Sequence, residues 1–170
     1  GGSVGKRFAA EGYHSVLCRR SDQQGLNSLV ADIQAQGGDA SGYLLNVVNE
    51  DVIEKLIATV EQDIGPIEVV IFNLGAQIGD RDLQDTSYKA FERCWHIATF
   101  SLFRTASVVC PLMVERGKGS IIVTSATAAV RGNAGQHAHA AAMGARRMLC
   151  QSLNAELGPK GLHIAHVLID

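Results

Sequence analysis

Apolar residues recur along this chain in two alternating rhythms. Short β-branched or aliphatic runs cover Ser15–Cys18, Ser41–Leu45, Glu68–Phe72, Ser120–Thr124 and His163–Ile169. Runs of this length and composition predict buried strands. Between them, Leu26, Leu29, Val30 and Ile33 fall at i, i+3, i+4 and i+7, and Ile53, Leu56, Ile57 and Val60 repeat the stripe. That spacing puts each set on one helix face. Gly12, Gly37-Gly38 and Gly65-Pro66 supply the stops. A longer helical region runs from Ser87 to Arg116, with Phe91, Trp95, Leu102 and Phe103 on its apolar side and Pro111 predicted to kink or break it. An Ala-rich helix then begins near His139 and runs to Gly158-Pro159. Strands that are apolar on both faces and alternate with helices of ten or more residues predict an α/β fold: a doubly wound, mostly parallel sheet in three αβα layers. No repeat or linker interrupts the pattern, so residues 1–170 read as a single domain.

Composition narrows the function classes. Apolar residues make up 46% and charged residues 19%, with net charge -2. No block of like charge suits nucleic acid or an anionic membrane surface. No apolar run reads as long enough to span a bilayer, and the N-terminus lacks the layout of a signal peptide. Cys18, Cys94, Cys110 and Cys150 form no C-x-x-C pair. They read as reduced, mostly packed thiols of a cytoplasmic protein rather than as a disulfide or zinc set.

Candidate chemistry gathers at the strand tips, where an open parallel sheet presents its ligand site. Gly1-Gly2 opens the first helix without a preceding strand, in the manner of a phosphate-binding turn entered halfway; a frayed terminus is the plainer alternative. Arg19-Arg20 follows the first strand, at the position where an acid would accept the ribose 2′-hydroxyl of NAD. A guanidinium fork suits a 2′-phosphate, so NADP is expected over NAD. Small hydroxyl residues end the Ser120–Thr124 strand, and Ser125 and Thr127 flank Ala126.

Taken together, these residues resemble the short-chain dehydrogenase/reductase family, along the whole chain. Gly1 matches the last glycine of that family's Gly-rich turn. Asn46-Val47 stands for its Asp-Val pair beside the adenine, and Asn73-Leu-Gly75 for its Asn-Ala-Gly element. Ala165 to Asp170 resembles its sixth strand, so the resemblance implies a Rossmann-like fold incomplete at both ends. It also implies an oxidoreductase acting on a small carbonyl or alcohol, and a homodimer or homotetramer paired through the Ser87–Arg116 helix and the helix after it. Aligned position by position, however, the family's catalytic Tyr falls on His139, its Lys on Met143, its Ser on Ala126 and its Asn on Ala98. Methionine cannot stabilise a phenolate. His139 is then the candidate proton donor, because imidazole titrates near neutrality, and Ser125 (or Thr127) is the candidate for orienting a carbonyl. A catalytically inactive nucleotide-binding or scaffold module on the same fold is the alternative. His137 and His139, with His163 and His166, offer a metal set only remotely, since residues two apart on a helix do not face each other. No metal is expected.

Overall fold

The computed structural model describes residues 1–76, 79 and 81–169. The terminal Asp170, which closes the predicted sixth-strand resemblance, therefore lies outside the described residues. Contacts group the chain into two compact units, Gly1–Pro66 and Ile67–Asp170.

In the first unit, α1 (Gly2–Ala10), β1 (Ser15–Arg19), α2 (Gln23–Ala35), β2 (Ala40–Leu44) and α3 (Val52–Asp63) follow in order. β1 and β2 pair in parallel, from Ser15 opposite Ala40 to Arg19 opposite Leu44. The helical stripes face inward as their spacing dictates: Leu26 and Ile33 of α2, and Ile53, Ile57 and Val60 of α3, are buried. Gly5 allows α1 to close on β1, since a Cβ there would sit 2.4 Å from a methyl of Leu17. Asp22 caps α2 by accepting from the Gly25 amide at 2.9 Å. A short turn reverses the chain between α1 and β1. The helix and strand therefore run opposite ways, which puts Gly1 at the same edge as the tip of β1.

In the second unit, β3 (Val69–Phe72), β4 (Gly119–Ser125) and β5 (Leu162–Leu168) form a parallel sheet in the order β3-β4-β5. Within each unit the strands thus pair in parallel, as the sequence pattern predicts for this fold class. Pattern reports which faces are apolar, whereas ladder hydrogen bonds decide which strands share a sheet. Ile121 and Val123 on one face of β4 are fully buried, against helix residues that include Leu102, Val109 and Met113 at 0% exposure.

The long helical region is one continuous stack: α4 (Tyr88–Trp95), a π-helical turn at His96–Phe100, and α5 (Ser101–Glu115). The Ser87 side chain caps it by accepting from the Ala90 amide at 3.2 Å. The expected break at Pro111 does not occur, and α5 continues to Glu115. Pro111 and Ser107 both lie on the exposed side. The Ser107 carbonyl, deprived of its helical donor, therefore faces water rather than core. A second correction concerns hydropathy. Tyr88–Glu115 is 28 residues long with a mean hydropathy of 1.6 over its most apolar window, enough by length and composition to cross a membrane. The expectation that no apolar run is long enough to span a bilayer is thereby corrected. Forty-four per cent of the window is buried within the fold, so packing accounts for much of its apolar character.

The third helix of this unit, α6, spans His137–Leu157, two residues earlier than the alanine run suggested. A tight crossing precedes β5: Gly161 has φ +91°, and a Cβ there would lie 2.3 Å from the Gly117 carbonyl oxygen. Both conformation and space exclude a side chain. Gly161→Ala is expected to lower stability by about 2 kcal/mol. An unchanged thermal midpoint would refute the tightness of that crossing.

Candidate active site

At the tips of β3 and β4 lies a cavity of about 240 Å³, lined by Asn73, Gly75, Ser125, His139, Met143 and Arg146 among others. Four of the residues expected from sequence are thereby brought together: Asn73, Gly75, Ser125 and His139. The reason is topological. β3 and β4 are parallel neighbours that end together, and α6 crosses their tips with His139, Met143 and Arg146 on one stripe.

Each side chain has a definite environment. Asn73 Oδ1 accepts from Thr124 Oγ1 at 2.7 Å, which ties the ends of β3 and β4. No atom lies within 4 Å of where a Gly75 Cβ would stand, so the chain leaves open space beside the strand tip. Ser125 Oγ has only the Met143 thioether near it, at 3.7 Å, a poor hydrogen-bond acceptor. His139 lies in the first turn of α6, and its Nδ1 is buried without a partner. The His139 ring helps to line the cavity, while its Nδ1 is closed off from it. Ala98 and Met143, at 0% and 2% exposure, are packed into the surrounding apolar cluster.

Arg146 went without a role in the sequence reading. It is 1% exposed, yet it has no carboxylate partner among the described residues. Its Nε donates to the Ala98 carbonyl at 2.8 Å, and its terminal nitrogens donate to Thr124 and Leu74 carbonyls, both at 2.9 Å. The guanidinium also lies 5.2 Å from the centre of the Phe72 ring. Burial lowers its pKa to about 10, so it remains cationic near neutrality. The π-helical turn places the Ala98 carbonyl within its reach, and Thr99 Oγ1 donates to the Ala142 carbonyl at 2.8 Å to hold that turn on α6. The usable sequence signal was position: Arg146 stands three residues after Met143 and seven after His139, on their stripe.

In the first unit, the expected pair at the tip of β1 separates into two roles. Arg19 forms an ion pair with Asp22, the cap of α2, so it is already engaged. Arg20 is exposed and has no partner among the described residues. Gly1 is the N-cap of α1 with no side chain covering the first-turn amides, a geometry open to a phosphate. Asn46 makes a turn after β2, donating to Asn49 Oδ1 at 3.3 Å, and Val47 is buried beside it. These features fit the phosphate end of a dinucleotide. Met143 does not fit the place of a cation beside its ribose.

Among the described residues no three His, Cys, Asp or Glu side chains come together as metal ligands. All four cysteines are free; Cys94, Cys110 and Cys150 are buried and Cys18 is exposed.

Comparison with known proteins places this geometry. The family pattern described as short chain dehydrogenase matches residues 1–169. The 2-dehydro-3-deoxy-D-gluconate 5-dehydrogenase of Formosa agariphila is 30% identical over 92% of this chain and 59% of its own length. The short-chain reductase protein NovJ of Streptomyces niveus is 32% identical, over 96% of this chain and 62% of its own. The chain thus spans about three-fifths of the length of these curated relatives. The crystal structure of a short-chain dehydrogenase from Rhodopseudomonas palustris superposes with a TM-score of 0.94 at 36% identity, covering 99% of this chain and 78% of that one. The parallel α/β architecture is Rossmann-like, and the chain belongs to the short chain dehydrogenase family.

Proposed function

We propose that the protein is an NADP-dependent oxidoreductase acting on a small carbonyl or alcohol, with His139 in the proton-donating position and Ser125 orienting the substrate oxygen. The observation that carries this reading is a cavity lined by both the His139 ring and the under-bonded hydroxyl of Ser125. A bound carbonyl would give Ser125 an acceptor better than a thioether, and an imidazole beside it could pass a proton to the substrate oxygen. NADP would supply the hydride. The first unit provides Gly1 and Gly2 for a phosphate at the α1 N-terminus and Arg20 for the 2′-phosphate, with Asn46 and Val47 beside the adenine as the family pattern implies.

The reading is tested by NADPH oxidation across a panel of small aldehydes and ketones. His139→Ala is expected to lower turnover at least tenfold while leaving NADPH binding intact; equal turnover would remove His139 from the chemistry. Cofactor choice has its own check. Arg20→Ala should weaken NADPH binding about tenfold and leave NADH unchanged, a difference readable by calorimetric titration. Equal effects on both cofactors would count against Arg20 as the 2′-phosphate group.

A second reading, a nucleotide-binding module without turnover, is favoured by Ala98, Ala126 and Met143, which leave no lysine to assist a proton donor. NADPH binding without oxidation of any panel member would support it. In either case we expect a cytoplasmic homodimer or homotetramer. Exposed Phe91, Trp95 and Phe103 on α4 and α5, at 43%, 39% and 51%, are an apolar face that self-association would cover.

A further inference from the structure

The charge balance of the cavity at the tips of β3 and β4 points to the kind of molecule it takes. No Asp or Glu is among its described lining residues, and its ionisable members are Arg146 and His139. The hydrogen bonds of Arg146 go to neutral carbonyls of Leu74, Ala98 and Thr124. These dipoles solvate the guanidinium without neutralising it. A guanidinium has five N–H donors, and the three bonds above leave two unspent. The remaining polar groups are also short of acceptors. Ser125 Oγ has a thioether at 3.7 Å. Asn73 uses its Oδ1 on Thr124, and its amide nitrogen has no partner among the described residues. The His139 ring lines the same cavity.

We propose that this cavity is a carboxylate-binding site, in which Arg146 supplies the fixed positive charge while Ser125, Asn73 and His139 offer the direct contacts to a small organic acid. A carboxylate fits this set better than a neutral carbonyl. It accepts from several converging donors at once and also brings the missing negative charge. At about 240 Å³ the cavity has room for roughly eight waters, enough for an acid of a few carbons. The inference deepens the oxidoreductase reading by making the substrate an acid that bears its carbonyl or hydroxyl on the same small skeleton, and to that extent it rests on that reading.

The test compares propionate with propionamide, its neutral analogue, on the wild-type chain at constant ionic strength. Binding is followed by NMR through the Arg146 Nε–H, the His139 ring and the Ser125 amide. Saturable shifts at these three places are expected, with propionate bound at least tenfold more tightly than propionamide. Equal affinities, no saturation, or shifts confined to other residues would overturn the proposal. Arg146→Lys keeps the charge and should retain the preference for propionate, whereas Arg146→Met should lose it. Because the methionine variant is weakened as a fold, Ser125→Ala serves as the second probe, with propionate affinity expected to fall about fivefold; unchanged affinity would place binding elsewhere. NADPH oxidation with a small oxo acid, set against a neutral ketone of the same size, separates the two readings. Propionate binding without oxidation leaves the anion site standing and removes the oxidoreductase function, and oxidation without a carboxylate preference does the reverse.

Discussion

Arg146→Met is expected to lower the stability of the protein by about 3 kcal/mol. The buried guanidinium donates to main-chain carbonyls from the end of β3, the π-helical turn and the end of β4. A methionine of similar length fills the space but leaves Leu74, Ala98 and Thr124 carbonyls short of a buried donor, at about 1–3 kcal/mol for each group left wholly unpaired. The loss is reduced because a buried cation without a counter-charge is itself costly to desolvate. Thermal unfolding should show a drop of about 10 °C in midpoint. A drop of less than about 2 °C would mean that water serves those carbonyls and that Arg146 is no staple. Arg146→Lys should fall between the two, since an ammonium retains the charge but cannot fan out to carbonyls on three separate elements.

The second large effect is expected at Met143, where the family pattern has a lysine. Met143 is 2% exposed, lines the same cavity as Arg146 and stands one helical turn before it. Met143→Lys would place a second cation, on a buried stem, against a guanidinium that has no acid partner among the described residues. Stability at pH 7 should fall by about 3 kcal/mol. Burial and repulsion would depress the new lysine's folded pKa below its unfolded value of about 10.4. The penalty is therefore full below the folded pKa, and stability recovers as pH rises toward the unfolded value. Denaturant midpoints measured from pH 6 to pH 10 check the sign; a pH-independent loss would point to simple misfit. In the double variant with Arg146→Met the two losses should not add, because removing the guanidinium removes the repulsion. Non-additivity of this kind would mean that a lysine at position 143 and Arg146 are incompatible in one fold.

Buried charge of this kind shows where reading the sequence stops. The alternation of aliphatic runs with stripes such as Leu26, Leu29, Val30 and Ile33 was enough for the fold class, because strand and helix periods differ and each apolar face must find cover. The same reading placed Ser125 and His139 together, since strand tips and the following helix meet in any parallel α/β unit. Whether Pro111 breaks the helix depends on whether the freed Ser107 carbonyl meets core or water, which local sequence does not state. Arg19 and Arg20 looked equivalent as neighbours at a strand tip. Only the capping geometry of Asp22 engaged one and left the other exposed.

What the sequence determined by itself was periodicity, stop signals and the identity of the groups at each tip, all of which are local. What the tertiary structure alone decided was the pairing of those groups. Arg146 followed Met143-Gly-Ala in a helix rich in small residues and read as one of two adjacent basic residues. Its carbonyl partners lie 22, 48 and 72 residues away along the chain. A buried arginine without an acid is tolerable only where such distant carbonyls converge on it. That convergence depends on three elements ending at one place, which no window of sequence contains.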